Sequence, residues 1–394
     1  MKTDFTDVGP RTGFSATLPY KMVLRGGWGL AYYPNNKNAG AFMKNPPFTA
    51  NYGPVTNLAA SNGLPNMFLK DGLPPVTFAS PLQPIGNVIG TALDYKSDRA
   101  KQFNLMIEKE FAGNVITAGY IGARGDRLQQ GVNYNLAPAG PGAVDPRRPY
   151  ASLYPAMANA TVLANVASST YNAAQFVFNR RYKDGLTLTT HYTWSHAQET
   201  RLTPWDFSLY ETGDTPNFDV RHHYVFTTNY ELPWGKGLTG VAHGFFSNWQ
   251  VNAAAFWQSG VAFTVVNAAS RTNTGGTDRP ILTGDPMLPK SQRTVQHWFN
   301  TDAFSAAPQF TPGNVGYAVM HGPDQRRIDM SIFKDLTVGG GTRKLQLRAE
   351  VYNLTNFANF YLPDPNFGSS GFGSISSTGN SIPRQMQFGI KYLF

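Results

Sequence analysis

The last eleven residues of the chain alternate between apolar and polar side chains and end on an aromatic residue. Successive side chains of a β-strand point to opposite faces, so one face here is apolar and carries Met386, Phe388, Ile390, Tyr392 and Phe394. The opposite face carries Gln385, Gln387, Gly389 and Lys391. A closing strand with these two faces is typical of a transmembrane β-barrel. We therefore expect an outer-membrane barrel, with Phe388, Tyr392 and Phe394 forming a C-terminal assembly signal.

The composition restricts how such a chain could span a bilayer. It has no run of about 18 to 20 apolar residues, which a membrane-spanning helix needs. Only helices and closed barrels satisfy every backbone polar group in lipid, so any span would have to be a barrel. The 39 glycines, 28 prolines and 13% aromatic residues favour strands and turns. The net charge is +9, but Lys and Arg are spread along the chain without a basic run, so nucleic acid is not expected as a partner.

Segments that alternate with period two predict about eleven strands. They span residues 11–18, 21–33, 98–111, 114–123, 170–182, 185–196, 221–232, 248–265, 325–338, 342–354 and 384–394. In the segment 342–354, aliphatic side chains face one way, while Lys344, Arg348 and Glu350 face the other way. We expect these three side chains, together with Lys391, to face a wet lumen while the aliphatic face meets lipid.

The connections between the predicted strands alternate between short and long. The short connections are residues 18–21, 112–113, 183–184, 233–247 and 339–341. The long connections are residues 34–97, 124–169, 197–220, 267–324 and 355–383. A soluble sandwich has loops at both ends, whereas an outer-membrane barrel has short periplasmic turns and long extracellular loops. The fold class we predict is therefore all-β, an antiparallel up-and-down transmembrane barrel.

Nearly the whole chain resembles the C-terminal part of the barrel of Oar-like TonB-dependent outer-membrane receptors. The order and spacing of short segments carry the resemblance. These segments are residues 23–30, 102–105, 120–125, 191–196, 218–223, 230–235, 249–250, 258–260, 353–357 and 384–389.

The resemblance implies that residues 1–394 form one portion of a barrel of about 22 strands. It implies that the plug, the TonB-contacting segment and the other N-terminal domains precede this portion, since no signal peptide is recognisable at the start. The complete protein would then be an active transporter for an unidentified solute. Its expected partners are outer-membrane lipid and lipopolysaccharide, the barrel assembly machinery, and the TonB complex through the missing N-terminal part. We expect the isolated half-barrel to be unable to form a native open structure in a bilayer, because its edges would be unpaired.

Several titratable residues lie near one another in the sequence, and they suggest a metal site only weakly. They are His191, His196, His222, His223, Asp206, Asp214 and Asp219. Neighbouring strand residues point to opposite faces, so hydrogen bonding at turns and in the lumen is the preferred interpretation. Enzyme signatures such as G-x-S-x-G and H-E-x-x-H are absent, and we expect no catalysis, no metal and no cofactor.

Aromatic residues in two long connections are the candidate ligand contacts. They are Trp205, Phe207 and Tyr210 in the first connection, and Trp298 and Phe299 in the second. Exposed aromatic rings beside polar groups can stack on sugars, siderophores or peptides. The alternative is that they pack the long loops onto one another.

Three other classes of protein remain possible from the sequence. A surface barrel could bind a partner through its loops without transporting anything. A passive pore would need an open lumen. A soluble β-sandwich binding module would need its aliphatic faces to be buried.

Overall fold

The structure is a computed structural model that describes residues 5–33, 68, 70, 72, 86–339, 343–379 and 381–394. Its main element is an antiparallel sheet in which each long strand is hydrogen-bonded to the next long strand along the chain. The strands are β1 (Arg11–Leu18), β2 (Met22–Tyr33), β3 (Asp98–Phe111), β4 (Asn114–Asn133), β5 (Met157–Lys183), β6 (Leu186–Leu202), β7 (His222–Glu231), β8 (Trp249–Gln258), β9 (Gln325–Thr337), β10 (Lys344–Tyr352) and β11 (Gln385–Leu393). The chain is therefore all-β with a large up-and-down antiparallel sheet, as predicted.

Smaller elements lie in the long connections of this sheet. The strands Gly86–Thr91 and Tyr210–Asp214 pair with β5 and β6, respectively. Three two-residue ladders lie outside the sheet: Ala262–Phe263 with Met320–His321, Val266–Asn267 with Asn366–Phe367, and Ile281–Leu282 with Phe304–Ser305. Short 3₁₀-helices span Asp145–Arg147, Lys290–Gln292 and Thr301–Ala303, and one α-helix spans Gly240–Phe246. No helix in the described part of the chain is long and apolar enough to cross a membrane.

The strand register separates the sheet into one apolar and one polar face. Residues directly opposite each other share a face, and one such row is Leu186, Tyr230, Val251, Ile332, Ala349 and Phe388. The adjacent row on the other face is Thr187, Asn229, Asn252, Ser331, Glu350 and Gln387. A one-residue slip would exchange the two faces, so the hydrophobic pattern fixes the register.

The apolar face carries strongly exposed side chains. Phe388 and Ile390 are 78% and 73% exposed, and Trp194 and Met386 are also largely uncovered. A soluble monomer rarely exposes so large a contiguous apolar surface. Hydrocarbon in contact with this face would remove the cost of exposing it to water, as in a membrane barrel.

Stacked rings mark the apolar face where β5 to β8 approach the long loops. The ring centroids of Phe176 and Tyr192 are 6.3 Å apart, those of Tyr192 and His222 are 6.2 Å apart, and those of His222 and Trp257 are 6.0 Å apart. The Tyr192 hydroxyl and His222 Nδ1 are also hydrogen-bonded at 2.8 Å. Aromatic rings with a polar edge favour the boundary between lipid and water, so this row is suited to an interfacial girdle.

Three strands are longer than predicted. The prediction ended or began these strands at residues 123, 170 and 196, whereas β4 reaches Asn133, β5 starts at Met157 and β6 reaches Leu202. The extensions pair with each other over residues 125–133 and 161–169, with irregular register near Leu128. The predictions were too short because no strict alternation runs through the extensions. Adjacent Gln129 and Gln130 place polar groups on both faces of β4, and adjacent Leu163 and Ala164 place apolar groups on both faces of β5.

The predicted strand 248–265 was too long. The strand β8 ends at Gln258, and a Cβ placed on Gly260 would lie 1.9 Å from the carbonyl oxygen of Gly322. Only glycine allows this close approach of two backbones. The chain turns away there, and Ala262–Phe263 joins a separate ladder among the loops.

The predicted short connections are short in the structure where it describes them. Ala112 and Gly113 both have positive φ angles, as do Asp184 and Gly185. Two successive positive φ angles are what a two-residue hairpin turn of type I′ requires. The connection after β7 is longer and contains the helix Gly240–Phe246. Most of the predicted connection 34–97, residues 340–341 of the last short one and Thr342 of the predicted strand after it lie outside the described residues.

The sheet has two free edges, at β1 and at β11. No hydrogen-bonded pairing joins these two strands among the described residues. Because consecutive strands alternate in direction, all long connections lie at one end of the sheet, called here the loop end. The short connections lie at the opposite end, called here the turn end.

Candidate functional site

The loop end has a hydrophobic core of its own. Its buried members are Phe263, Val265, Phe299, Ala303, Phe304, Val315 and Met320. The ring of Phe299 lies at the centre, with centroids 6.1 Å from Phe263, 5.7 Å from Phe304 and 5.2 Å from Phe372. The long loop at residues 259–324 and the last long loop, at residues 353–384, are therefore packed against each other.

Two predicted ligand contacts belong to this core. Phe299 is only 2% exposed, so its side chain cannot touch a ligand in this conformation. Trp298 packs against the core, and its indole N–H donates to the carbonyl of His321 at 3.1 Å. The guanidinium of Arg293 lies 5.5 Å from the centroid of the Trp298 ring. Packing accounts for the positions of both residues.

The other three predicted contacts lie on the hairpin between β6 and the strand Tyr210–Asp214. Trp205 and Phe207 line an open cavity of about 460 Å³, and Tyr210 is 60% exposed outside it. Other loops complete the cavity with Asn133, Leu136, Ala137, Pro138, Ala139, Asp206, Ser208, Leu209, Thr272, Thr274 and Pro312. The cavity thus combines two aromatic rings with small aliphatic and hydroxyl groups.

One carboxylate lies at the mouth of this cavity. Asp206 accepts hydrogen bonds from the hydroxyl and the backbone N–H of Ser208, at 2.6 and 2.9 Å. These two bonds lower the pKa of Asp206 below its usual range. The cavity lining therefore carries a single negative charge at neutral pH.

An ion pair between Arg279 and Glu211 packs against the ring of Trp205. Arg279 is almost fully buried, and its Nη1 lies 2.7 Å from Oε2 of Glu211 on the strand Tyr210–Asp214. The Arg279 guanidinium also lies 4.9 Å from the ring centroid of Trp205 and 5.4 Å from that of Tyr317. Cation–π contacts of this kind are stronger when desolvated. Arg279 thus connects the cavity hairpin to the large loop.

Tyr317 extends the same network to β6. Its hydroxyl donates to Glu199, and the guanidinium of Arg201 lies 5.1 Å from its ring centroid. Burial and the hydrogen bond to Glu199 together raise the pKa of Tyr317 to about 12. Tyr317 therefore remains a neutral donor at physiological pH.

A second charged cluster joins the loops at the start of β7. Arg221 donates to Oδ2 of Asp219 at 2.6 Å and to Oδ2 of Asp214 at 2.8 Å. His196 Nε2 lies 2.9 Å from Asp214 Oδ1, and His321 Nε2 lies 3.4 Å from Asp214 Oδ2. The structure thus brings together three residues considered from sequence, His196, Asp214 and Asp219, and adds His321, which is remote from them in sequence.

The ligand atoms of Asp214, Asp219 and His321 lie within 4.8 Å of one another. The guanidinium of Arg221 already binds both carboxylates and offsets one of their two negative charges without an ion. Burial raises the pKa of Asp219, but nearby His321, with Nε2 at 3.7 Å from Oδ2, and hydrogen bonds from the N–H of Ala197 and from Arg221 outweigh it and hold the pKa below its usual range. These contacts describe an ion-pair network that ties the loops to β6.

The other three histidines considered from sequence, His191, His222 and His223, are not part of this cluster. His191 and His223 are on the polar face, opposite Val225 and Thr193 respectively. His222 is on the apolar face in the stacked row. Asp278, which sequence reasoning missed, is fully buried and accepts from Thr272 N at 2.6 Å, Asn267 Nδ2 at 2.8 Å and Ser270 Oγ at 2.9 Å. Although burial raises the pKa of Asp278, these donors lower it below the usual range.

The four predicted lumen residues share the polar face of β10 and β11. Lys344 lies 3.3 Å from Asp335, Arg348 Nε donates to Gln346 at 2.7 Å, and Glu350 accepts from the Tyr352 hydroxyl at 3.1 Å. Lys391 is exposed opposite Gln346. Their exposure to a lumen stays a prediction, because the sheet is not closed.

The three predicted assembly residues project from the apolar face of β11. Phe388 and Phe394 are largely exposed, and the rings of Tyr392 and Phe394 stack with centroids 6.0 Å apart. Within the described ranges, no other segment buries Phe388 or Phe394. Their role in assembly stays a prediction.

The sequence and this architecture together define the class of protein. The chain belongs to the family described as outer membrane beta barrel domain, whose model matches residues 1–387. It is therefore a protein of the cell outer membrane. No curated protein matches the chain.

Solved structures of three receptors and transporters are similar to the chain. One is the pyoverdine receptor FpvA of Pseudomonas aeruginosa bound to pyoverdine, at 12% identity and a TM-score of 0.48, covering 98% of this chain and 36% of that one. Another is the ferric enterobactin receptor PfeA of Pseudomonas aeruginosa in complex with enterobactin, at 14% identity and a TM-score of 0.47. The similarity covers 97% of this chain and 40% of that one. The outer membrane transporter YddB of Escherichia coli has 9% identity and a TM-score of 0.46, covering 94% and 38%. The chain spans less than half of the length of each of these proteins.

Proposed function

We propose that the chain is the C-terminal part of the barrel of an Oar-like TonB-dependent active transporter, which takes up a solute across the outer membrane without catalysing a reaction. The observation that carries the proposal is the combination of the two-faced sheet β1–β11, called here the wall, with a cavity built by its loops. One face of the wall suits lipid and the other suits water. The cavity lined by Trp205 and Phe207 lies at the end that we assign to the cell exterior.

The free edges indicate how the barrel is completed. The strands β1 and β11 are separated by ten antiparallel pairings, so they run in the same direction. Antiparallel closure therefore needs an odd number of additional strands between them. Eleven such strands from a preceding part of the same polypeptide would give a barrel of 22. This part, together with a plug and a TonB-contacting segment, would complete the transporter.

The cavity also favours one kind of solute. Two aromatic rings and several aliphatic side chains line it, and Asp206 is its single ionised group. Such a lining suits a neutral or cationic solute with an aromatic or sugar-like part, which can stack on Trp205 and Phe207. Tyr210, Trp298 and Phe299 would support the site from outside the cavity.

The test is uptake by cells that produce the complete protein encoded by the reading frame. We expect solute accumulation to depend on the proton-motive force and to fall in Trp205→Ala. In Tyr361→Ala, an exposed loop aromatic outside the cavity, accumulation should be unchanged. Binding without accumulation would instead indicate a surface adhesin. Accumulation that survives dissipation of the proton-motive force would indicate a passive pore, and either result would overturn the proposal.

A further inference from the structure

The connection between β7 and β8 contains a helix whose apolar side chains contact no core. None of the seven residues of Gly240–Phe246 is buried. Val241 is 92% exposed and Phe245 is 67% exposed, and Trp234, Leu238 and Phe246 are exposed as well. So short a helix is marginal in water without a surface to pack against. We call these five side chains the rim surface.

The rim surface is held in place by contacts on its other side. His243 Nδ1 lies 3.1 Å from the carbonyl oxygen of Gly235, and the N–H of Leu238 donates to the same carbonyl at 3.1 Å. Gly235 has a φ of +72°, and a Cβ there would lie 2.7 Å from the backbone nitrogen of Ser247. The connection is therefore a closed turn that presents Val241 and Phe245, four residues apart, on one face of the helix, with Leu238 just before it.

The same connection is attached to the lipid-facing side of the wall. Trp249 and Lys334 are directly opposite each other at the turn end of the apolar face. The indole N–H of Trp249 donates to the carbonyl of Phe245 at 2.9 Å, and the ammonium of Lys334 donates to the carbonyl of Ser247. The rim surface is therefore continuous with the face of the wall that meets lipid.

The connection that carries the rim surface contains no acidic residue. At the turn end of the apolar face, Lys109 and Arg180 are partly exposed, Arg180 pairs with Asp184, and Lys334 is buried. Lys236 lies in the connection itself and makes no ion pair among the described residues. Long basic side chains at the end of an apolar span can extend toward lipid phosphates.

From this juxtaposition of an uncovered apolar helix with Lys236, the exposed lysine of the same connection, we infer that the rim surface inserts into the phospholipid leaflet at the turn end. There it anchors the wall and selects anionic headgroups. An amphipathic segment of this type enters about 5–10 Å into the boundary between headgroups and acyl chains. The inference rests on the outer-membrane topology of the proposed function, in which the turn end is periplasmic, but it does not depend on transport.

The chain has no cysteine, so single labels can be placed in it once any cysteine elsewhere in the complete protein is replaced by serine. The complete protein, reconstituted in phospholipid vesicles, would carry an environment-sensitive dye at Val241→Cys. Val319→Cys provides a matched control, because it replaces an exposed valine at the loop end. We expect the dye at position 241 to be quenched by nitroxide-labelled lipids and shielded from aqueous iodide. The dye at position 319 should show the reverse.

Lipid selectivity is tested with the same variant. At equal mole fraction, nitroxide-labelled phosphatidylglycerol should quench the dye at position 241 more than nitroxide-labelled phosphatidylcholine does. Equal quenching would overturn the assignment of anionic headgroups. A dye that is shielded from iodide but not quenched by lipid would show that a protein segment covers the rim surface, and would overturn the inference.

The topology has its own control in intact cells. A membrane-impermeant maleimide should label Val319→Cys and leave Val241→Cys unlabelled. Labelling of position 241 would place the turn end outside the cell and refute the inference. Because these readouts do not involve the solute, loss of uptake with normal lipid quenching would contradict only the proposed function.

Discussion

Replacing Phe299 by alanine should open the loop end without disturbing the wall. Phe299 is 2% exposed, and its ring is surrounded by Phe263, Phe304 and Phe372 at centroid distances of 5.2 to 6.1 Å. Truncation of a buried phenylalanine costs about 3–5 kcal/mol, through lost burial and the cavity left behind. At about 1.4 kcal/mol per tenfold change, local opening should become about 10²- to 10³·⁵-fold more frequent.

Hydrogen exchange of the membrane-inserted protein measures this opening directly. Amides in Ala262–Phe263 and Phe304–Ser305 should lose protection by that factor, whereas amides of β8 should keep theirs. Tyr210→Ala, which removes an exposed aromatic ring outside this core, should leave all of them unchanged. If the loop amides of Phe299→Ala changed less than about tenfold, the packing role of Phe299 would be refuted. Equal loss of protection in β8 would show that the loops and the wall open together.

Three further changes test the charge networks and the wall. Arg279→Met should destabilise the loop end by about 3–5 kcal/mol, because Glu211 is left buried and unpaired; hydrogen exchange should show recovery in the double variant with Glu211→Leu. Gly122→Val should lower the urea midpoint of the wall by an amount equivalent to about 1–3 kcal/mol, since a Cβ there would lie 2.3 Å from the Phe103 ring. The lowered pKa of Asp219 gives a stabilisation that is complete above about pH 3.9 and is lost as the pH falls through the folded-state value. Asp219→Asn should therefore remove part of the acid sensitivity of loop protection, and an unchanged acid profile would contradict this assignment.

The wall was predictable because lipid and water impose a period of two on every spanning strand. The alternation around Leu345, Leu347 and Arg348 identified β10 to within two residues at each end. The same rule fails beyond the membrane. In the extensions of β4 and β5, the alternation is interrupted by the polar pair Gln129 and Gln130 and by the apolar pair Leu163 and Ala164, so the paired strands leave no period of two in the sequence.

The interior of the loop end was not predictable from local pattern. His321 approaches Asp214, and Arg279 approaches Glu211, only because loops far apart in sequence are folded against each other. A partial signal existed for Asp278, since the preceding residues are rich in Asn, Ser and Thr, whose side chains and backbone can surround a carboxylate. The aromatic residues were recognised as important, but the sequence could not separate buried Phe299 from cavity-lining Trp205.

The two ends of the wall use apolar residues in opposite ways. At the loop end, Phe299 and Phe304 are buried by other parts of the chain, so the loops hold their shape independently of lipid. At the turn end, no described residue buries Val241 or Phe245, so we expect their free energy to depend on the membrane. A change in lipid composition should therefore alter the turn end and leave the cavity of Trp205 intact. A protein divided in this way can vary its ligand-facing loops without altering how its wall is anchored in the membrane.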